Sequence, residues 1–480
     1  MREAVMPIRK ISTLTLAACL VTLLVGLNTN AAAVEKIQPW MLAEWSNPAP
    51  HFSDLGLTAK ELAPLIGKRL VLLPHAERNI AIPGAHGLRR FANARFVTAV
   101  ARVDLPAATL AKRMQDFSGY KHLFPMLTES NVQEFAGKNL VARYRMEIPL
   151  PAMATITVDF RIKQALEEDG SISALLIDGK AESLIAMLGG VTDELADQPV
   201  VSRWEFLPVN ANQSLVVFTY WDRLDLKSYF ARKFIEMYPE LKVVGPYMVA
   251  AGAAEAIHRN FISPVPVSAE TAPLGVEQLA KMQELMSRFS VAGPVAIMEP
   301  ELFPVAVMKV PPLRYVSLAT QVNATPALSR AWATSYGRLP SALRELKSIT
   351  VNDRGQNLDL KLGIKFAFLV VRFSLGLDML NTWATPDRLE FRRTAGNLAQ
   401  LQGASEWRAL NGGKDTLMVI SAAHELGDDA PFVLRMAHKV VETIPYIDAL
   451  ASLAVQMVVM ERLKPWIEKN AQSGMPTPLH

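Results

Sequence analysis

Between Leu140 and Ile148 the chain alternates. Leu140, Ala142, Tyr144, Met146 and Ile148 are set against Val141, Arg143, Arg145 and Glu147. A period of two is that of a β-strand, and a largely polar second set predicts one buried face. The next stretch does the same, with Ile156, Val158, Phe160 and Ile162 opposing Thr155, Thr157, Asp159 and Arg161. The same pair of stretches returns much later. Leu358, Leu360, Leu362, Ile364 and Phe366 oppose Asp359, Lys361 and Lys365; then Val371, Phe373, Leu375 and Leu377 oppose Arg372, Ser374, Gly376 and Asp378. This alternation predicts an antiparallel sheet covered on one side.

The recurrence extends beyond the strands. "RFVTAVARVDLPA" begins at Arg95 and "RYVSLATQVNATPA" at Arg314, 219 residues later. Each phrase leads into a predicted helix, Ala107–Phe117 and Pro326–Tyr336, then a proline, Pro125 and Pro340. Strand-like "TESNV" at Thr128 and "KSITV" at Lys347 follow, then "GKNL" at Gly137 and "GQNL" at Gly355. "SRWEFLP" from Ser202 parallels "ASEWRAL" from Ala404, and "SLVVFTY" from Ser214 parallels "TLMVISA" from Thr416. Each copy closes with a long helical region, about 224–261 and 430–469, broken once at Pro239 or Pro445. A shared order of elements marks duplication of a whole domain. The predicted class is α+β, a tandem repeat in which each unit is a curved antiparallel sheet with a long C-terminal helix over its apolar face. The expected layout is a leader over 1–33, an N-terminal extension with a short helix (Thr58–Ile66) over 34–94, and a first domain over 95–262. A Pro/Ala-rich connector with one helix (Val276–Phe289) covers 263–312, a divergent second domain 313–469, and a disordered tail 470–480. Leu55-Gly56 and Leu274-Gly275 precede the two short helices, so the repeated unit extends to a leading helix on this reading.

Composition narrows the function. Arg2, Arg9 and Lys10 precede an apolar run, Ile11–Leu27, and then Ala31-Ala32-Ala33, the pattern of an export signal cleaved near Ala33. Retention as an N-terminal anchor and lipidation at Cys19 are the alternatives. Export predicts a periplasmic protein. Cys19 is the single cysteine, so disulfide, thiol-redox and thiolate-metal chemistry are excluded downstream of it. The formal charge of +4 is scattered, which argues against nucleic acid as a partner. No later apolar run reaches membrane-spanning length. The sequence carries no GxSxG, HExxH, GxxxxGK[ST] or GxGxxG motif. His51, His75, His86, His122, His258, His424, His438 and His480 have no metal-ligand spacing. Neither a cofactor nor a metal is expected, and no catalytic residue is assigned. Arg143, Asp159 and Arg161 fall on the polar strand face, where a solvated surface explains them. Tyr120 and His122 near the expected mouth and His258 on the terminal helix are the remaining acid–base candidates.

One group of residues resembles a known family. Asp116-Phe117-Ser118-Gly119-Tyr120 leads to Phe124-Pro125, then Ser130-Asn131-Val132, then Trp204-Glu205-Phe206-Leu207-Pro208, then the terminal helix. This is similar to the pattern of the START-like, Bet v 1-like superfamily, which groups polyketide cyclases, coenzyme Q-binding START proteins and lipid-transfer proteins. The likeness covers about 95–262. The second copy lacks the Asp and the aromatic before Pro340, and its Trp407-Arg408-Ala409-Leu410 lacks the final proline.

The resemblance implies a helix-grip fold with a cavity between sheet and terminal helix that takes a hydrophobic small molecule or lipid. Phe117, Tyr120, Phe124, Tyr144, Phe160, Trp204 and Phe218 are the expected lining, with ordinary core packing as the alternative for each. Ala250-Ala251-Gly252-Ala253-Ala254 on the first terminal helix would leave room for a ligand or seat a partner helix. The second helix, with Leu450, Leu453, Val455, Met457 and Met460, looks filled. Unequal copies are therefore expected, one binding and one bracing. Apolar hairpin tips at 148–153 and 366–370, and the apolar stretch 184–190, suggest a membrane-touching mouth and a lid, or packing contacts. The functional expectation is an exported lipid, sterol-like or quinone carrier. A cofactor-independent cyclase and a non-binding scaffold are the rivals.

Overall fold

The computed structural model describes residues 36–148, 156–182, 199–223, 236–262, 265–266, 276–300, 302–303, 313–368, 371–426 and 446–476. The export signal, the hairpin tips around 149–155 and 369–370, and the stretch 184–190 lie outside the described residues.

The first copy opens with α1 (Ala59–Ile66) and β1 (Leu70–Pro74), a separate hairpin of β2 (Arg78–Gly84) and β3 (Gly87–Ala94), and β4 (Val97–Val103). Then come α2 (Ala107–Met114), a 3-10 turn (Phe117–Gly119) and a short helix (Tyr120–Leu123). Six strands follow: β5 (Leu127–Ala136), β6 (Asn139–Ile148), β7 (Ile156–Leu166), β8 (Ile172–Glu182), β9 (Val200–Asn210) and β10 (Gln213–Asp222). The copy ends in α3 (Leu241–Phe261). The short β11 (Val265–Pro266) later pairs with β13 (Leu302–Phe303).

The second copy runs α4 (Val276–Phe289), β12 (Val295–Met298), β14 (Val316–Val322), α5 (Pro326–Ala333) and a 3-10 turn (Tyr336–Ser341). Its remaining strands are β15 (Leu346–Asp353), β16 (Asn357–Phe368), β17 (Val371–Thr385), β18 (Arg388–Gly396), β19 (Leu398–Leu410) and β20 (Asp415–Leu426), before α6 (Ile447–Ala471).

Sixteen strands form one sheet, ordered β15-β16-β17-β18-β19-β20-β14-β12-β1-β4-β10-β9-β8-β7-β6-β5. Read outward from the β12–β1 seam, the two halves have the same order. The seam itself is symmetric. Leu72 pairs with Ala99 and with Ala296. Ala296 pairs with Leu318, which stands 219 residues after Ala99. Leu72 and Ala296 are thus equivalent residues facing each other, so an approximate two-fold axis passes between them. The duplicated unit includes the leading strand as well as the leading helix.

The same axis relates the terminal helices, which cross antiparallel. Arg462 Nε of α6 donates to Glu240 Oε1 at the start of α3 (2.8 Å), while Gly252 of α3 faces Leu450 and Tyr446 at the start of α6. Gly252 of the small-residue run therefore meets the partner helix, while Ala250, Ala251 and Ala254 are fully buried in a helix that also packs on β4 and β10.

Coverage differs from the one-sided sheet expected. At the seam, Leu70, Leu72, Ala99, Val216, Val316 and Leu318 face α3 and α6. On the other face, Val71, Leu73, Val100, Val217, Ile297 and Val419 pack under α1 and α4. Strands buried on both faces read as unbroken apolar runs, as "LVLL" and "VAIM" do here. Alternation reports only the outer strands. The break expected at Pro239 is there: residues 236–237 are helical and α3 begins at Leu241, while Pro445 lies outside the described residues. The tail is also more ordered than expected: α6 runs to Ala471, and the Trp332 indole N–H donates to the Gly474 carbonyl (2.9 Å).

Candidate functional site

The seven aromatic residues singled out in the first copy converge. Phe117 lies 5.6 Å from Tyr120, centroid to centroid; Tyr120 lies 5.4 Å from Phe124 and stacks at 5.8 Å on Tyr144. Tyr144 continues to Phe160 (5.7 Å), and Phe124 to Trp204 (6.3 Å), which packs at 4.1 Å on Phe218. Phe218 then meets Tyr220 at 5.9 Å. Offset and tilted rings at these separations attract through their quadrupoles beyond simple area burial.

Local chemistry explains the placement. Tyr144 and Phe160 are cross-strand partners on the inward face of β6 and β7, and Trp204 and Phe218 are partners on β9 and β10. Tyr120 is held by the 3-10 turn before it. Asp116 Oδ1 accepts from the Gly119 amide (3.1 Å), and a Cβ on Gly119 would lie 2.4 Å from Asp116 Oδ2, so a larger residue here would displace the capping carboxylate. The Ser130 hydroxyl donates to the Phe117 carbonyl, tying the turn to β5. The Asp-Phe-Ser-Gly-Tyr phrase is therefore a device for aiming Tyr120 inward.

The phenols in this cluster are committed. Tyr120 OH donates to the Met114 carbonyl (2.8 Å), and Tyr144 OH to Gln164 Oε1 (3.0 Å). Burial pushes both hydroxyls well above their usual range, which suits binding and disfavours proton transfer near neutrality.

The other candidates separate from this cluster. His122 is exposed. His258 is buried with Nδ1 2.7 Å from the Arg102 carbonyl. Arg143, Asp159 and Arg161 do lie on the outer face, but the expected solvated surface is corrected. Arg143 pairs with Asp159, and Arg161 is buried against Asp178. An N-terminal strap covers part of this face: Lys163, fully buried, donates to the carbonyls of Trp40 and Ala43, and Met41 packs on Val141 and Ile177. Burial lowers Lys163 to about 8. Under the same strap, His51 Nδ1 stands 3.3 Å from Glu205 Oε1 and 3.9 Å from Asp169 Oδ2. Spacing rules missed this trio because its members come from three distant segments. The Phe52 amide and His51 already hold Glu205, so a hydrogen-bonded strap anchor accounts for it.

Strand registers give the second copy's residue at each aromatic position. Leu362 and Leu377 pair as Tyr144 and Phe160 do, and Ser405 and Ile420 pair as Trp204 and Phe218 do. The backbone bonds that link Tyr120, Phe124 and Leu127 recur through Leu339, Leu343 and Leu346. Tyr336 opens its 3-10 turn as Phe117 does. The tryptophan match read from sequence is thereby corrected: Trp407 pairs with Met418 and occupies the place of Phe206, which pairs with Val216.

No family model matches the chain, and no curated protein does. Among solved structures, the di-domain aromatase/cyclase StfQ from the steffimycin biosynthetic pathway is 9% identical, over 78% of this chain and 99% of its own, with a TM-score of 0.27. A START superfamily protein from Mycobacterium smegmatis is 14% identical over 35% of this chain and 96% of its own (TM-score 0.26). The lipid transfer and protein localization domain of human StarD13 is 14% identical over 39% and 91% (TM-score 0.24). Superpositions this loose carry no argument by themselves. The fold rests on the strand order, the paired seam and the crossing terminal helices: the chain is an α+β tandem repeat of two helix-grip units, each an antiparallel sheet with a long C-terminal helix.

Proposed function

We propose that the protein is an exported carrier of a hydrophobic small molecule or lipid, and that the first copy holds the cargo. The observation that supports this is the confinement of the aromatic cluster to one copy. Six of its seven positions are aliphatic or serine in the other. A purely structural core would tolerate either set. A lipid chain leaving a bilayer exposes methylenes to water at about 0.8 kcal/mol each, and a wall of rings removes that exposure. Cargo of lipid, sterol-like or quinone type fits such a wall. The hydrogen-bonded, alkaline-shifted phenols favour carriage over cyclase chemistry in the same interior.

The test is extraction and mass spectrometry of the protein purified from its native envelope. A stoichiometric hydrophobic species, lost in Trp204→Ala, is expected. A protein that arrives empty and takes up no offered phospholipid, sterol or quinone overturns the reading. Turnover of a polyketide-like substrate would replace it with the enzyme.

A further inference from the structure

The hairpin of β2 and β3 fills the connection between β1 and β4 and forms a two-stranded sheet of its own. Cross-strand partners share a face, so the register sorts its side chains. Ile80 and its partner Phe91 are buried, and with Ile82 they pack on Leu175, Val201 and Trp221, on the outer face of β8, β9 and β10. The opposite face of the hairpin meets solvent. There Ala81 pairs with Arg90, and Pro83 with Leu88. Arg90 is exposed, Leu88 is 67% exposed, and Ala85-His86-Gly87 is exposed at the tip. The solvent face of an antiparallel pair is ordinarily polar. This one carries apolar side chains and a guanidinium.

Charge is as uneven as hydrophobicity. Residues 78–95 hold four arginines, Arg78, Arg89, Arg90 and Arg95, and neither Asp nor Glu. Those four match the formal charge of the whole chain, +4. Glu77, just before them, is paired with Arg95 at 2.6 Å. Arg89 and Arg223 both lie over the Phe91 ring, 5.3 and 5.9 Å from its centroid, so one ring gathers two cations beside the hairpin. The second copy differs at the same place. Between β12 and β14, residues 299–315 hold Lys309 and Arg314 against Glu299 and Glu301, a balance of zero. Between β1 and β4, residues 75–96 hold the four arginines against Glu77 alone, a balance of +3.

We propose that the solvent face of this hairpin docks the protein on the surface of an anionic phospholipid bilayer. The arginines meet the phosphate headgroups, and Leu88 with Pro83 enters the boundary with the acyl chains. Charge alone would suit any polyanion. A polyanion gives Leu88 nothing to enter, whereas a bilayer sets an apolar layer directly beneath its anionic one. The surface shares no residue with the aromatic cluster, so it does not rest on the carriage reading.

Flotation of the protein purified from its native envelope tests this, with vesicles of phosphatidylcholine alone and of phosphatidylcholine mixed with phosphatidylglycerol. Binding to the mixed vesicles is expected to be about tenfold tighter or more at low salt, and to weaken as salt rises. Arg90→Glu should weaken it by about tenfold or more and Leu88→Ser by about fivefold, both with unchanged melting curves, because both side chains already face solvent. Arg354→Glu makes the same change of charge at the turn between β15 and β16, where it removes only a surface pair with Asp359, and should leave binding within about twofold. Equal binding to the two vesicle types, equal losses from Arg90→Glu and Arg354→Glu, or full binding by both hairpin variants overturns the proposal. So does a protein that does not float, and its capture by duplex DNA would then assign the charge to nucleic acid. An empty protein that floats leaves this inference standing while the carriage reading falls, and a loaded protein that does not float does the reverse.

Discussion

The two copies share a scaffold and differ in what fills it. Along the inward face, the first copy places Phe117, Tyr120, Phe124, Tyr144, Phe160, Trp204 and Phe218 where the second places Tyr336, Leu339, Leu343, Leu362, Leu377, Ser405 and Ile420. Strand register and the backbone bonds of the turn are common to both, although the caps differ, Asp116 accepting from the Gly119 amide where Ser335 makes no such bond. The backbone therefore does not require the rings. Leucine and isoleucine complete the same sheet and grip, so the aromatics answer some other demand, and the cargo reading assigns it.

The largest effect should come from the centre of that difference. Trp204→Ala removes the ring 4.1 Å from Phe218 and leaves a hole beneath the sheet. Truncating a buried aromatic costs about 3–5 kcal/mol. Ser405→Ala, at the equivalent site, should fall within about 0.5 kcal/mol of the parent. Urea denaturation of both variants checks this. Similar losses from the two would mean that the copies are energetically alike despite their residues.

The repeated arginine provides the next test. Arg314 reaches across the two-fold axis to Glu255, which is fully buried in the first copy's helix. Arg95 has the symmetric opportunity toward Glu461, whose charge it stabilises, yet its ion pair is with Glu77. Burial raises Glu461, while the Arg314 guanidinium helps hold Glu255 below the ordinary carboxylate range. Glu255→Ala leaves an uncompensated buried cation and should cost about 3–5 kcal/mol. Glu461→Gln relieves an ionised group that its surroundings disfavour, so stability at pH 7 should hold or rise. Equal losses would restore the symmetry that the contacts break.

The sequence made the repeat legible because the outer strands are amphipathic. Alternation survives where one face of a strand stays outside the core, as from Leu140 to Met146 and from Leu358 to Ile364. It vanishes at the seam, where β1 and β12 are buried on both faces and cannot be told from any short apolar run. The leading helices were visible through the Leu55-Gly56 and Leu274-Gly275 pairs before them, and the first carries a further local signal. Thr58 accepts from the Glu61 amide (3.2 Å), and Glu61 accepts in return from the Thr58 amide (3.1 Å), a capping box written in adjacent residues. The aromatic cluster was legible because each ring sits on an inward position of a strand or turn already recognised. The trio of His51, Asp169 and Glu205 was not, because its members come from three distant segments and one sequence does not announce such a meeting. The shifted match of Trp204 and Trp407 has a similar origin: identical residue types invited alignment, and hydrogen-bond register placed them two positions apart.

Asp222 and His424 sharpen the comparison through pH. Tyr220 pairs with Val97, and Ala422 with Val316, so two residues on, Asp222 corresponds to His424. Burial raises Asp222 to about 6, so its folded form holds a proton more tightly than the unfolded chain. Its stabilising share is present at low pH and is lost as pH rises from about 4 to 6. Burial lowers His424 to about 4, so the unfolded chain takes up the proton first. Stability is then lost as pH falls from about 6.5 to 4. Each shift exceeds two pH units, or about 3 kcal/mol at most. Equivalent positions thus bend the stability profile in opposite directions. Asp222→Asn should raise the neutral limb, and His424→Gln should flatten the acid limb, in denaturant melts from pH 4 to 8. A parallel response of the two variants would refute the assignment of either burial effect.

The smallest expected effect lies where the two terminal helices cross. Gly252 sits in the middle of α3, where glycine costs about 0.5–1 kcal/mol relative to alanine through lost chain entropy. Its φ is not of the left-handed kind, so no backbone constraint demands it. A Cβ there would stand 3.5 Å from Leu450 Cδ1 and 3.9 Å from Tyr446 Cε2, which is ordinary contact. Val458, twelfth residue of α6 as Gly252 is of α3, already carries a branched side chain at the equivalent place. Gly252→Ala should therefore stabilise by about 0.5–1 kcal/mol in a urea melt. A destabilised variant would show that the helices approach more closely at this crossing than 3.5 Å allows, and that the small-residue run is a packing requirement in one copy alone.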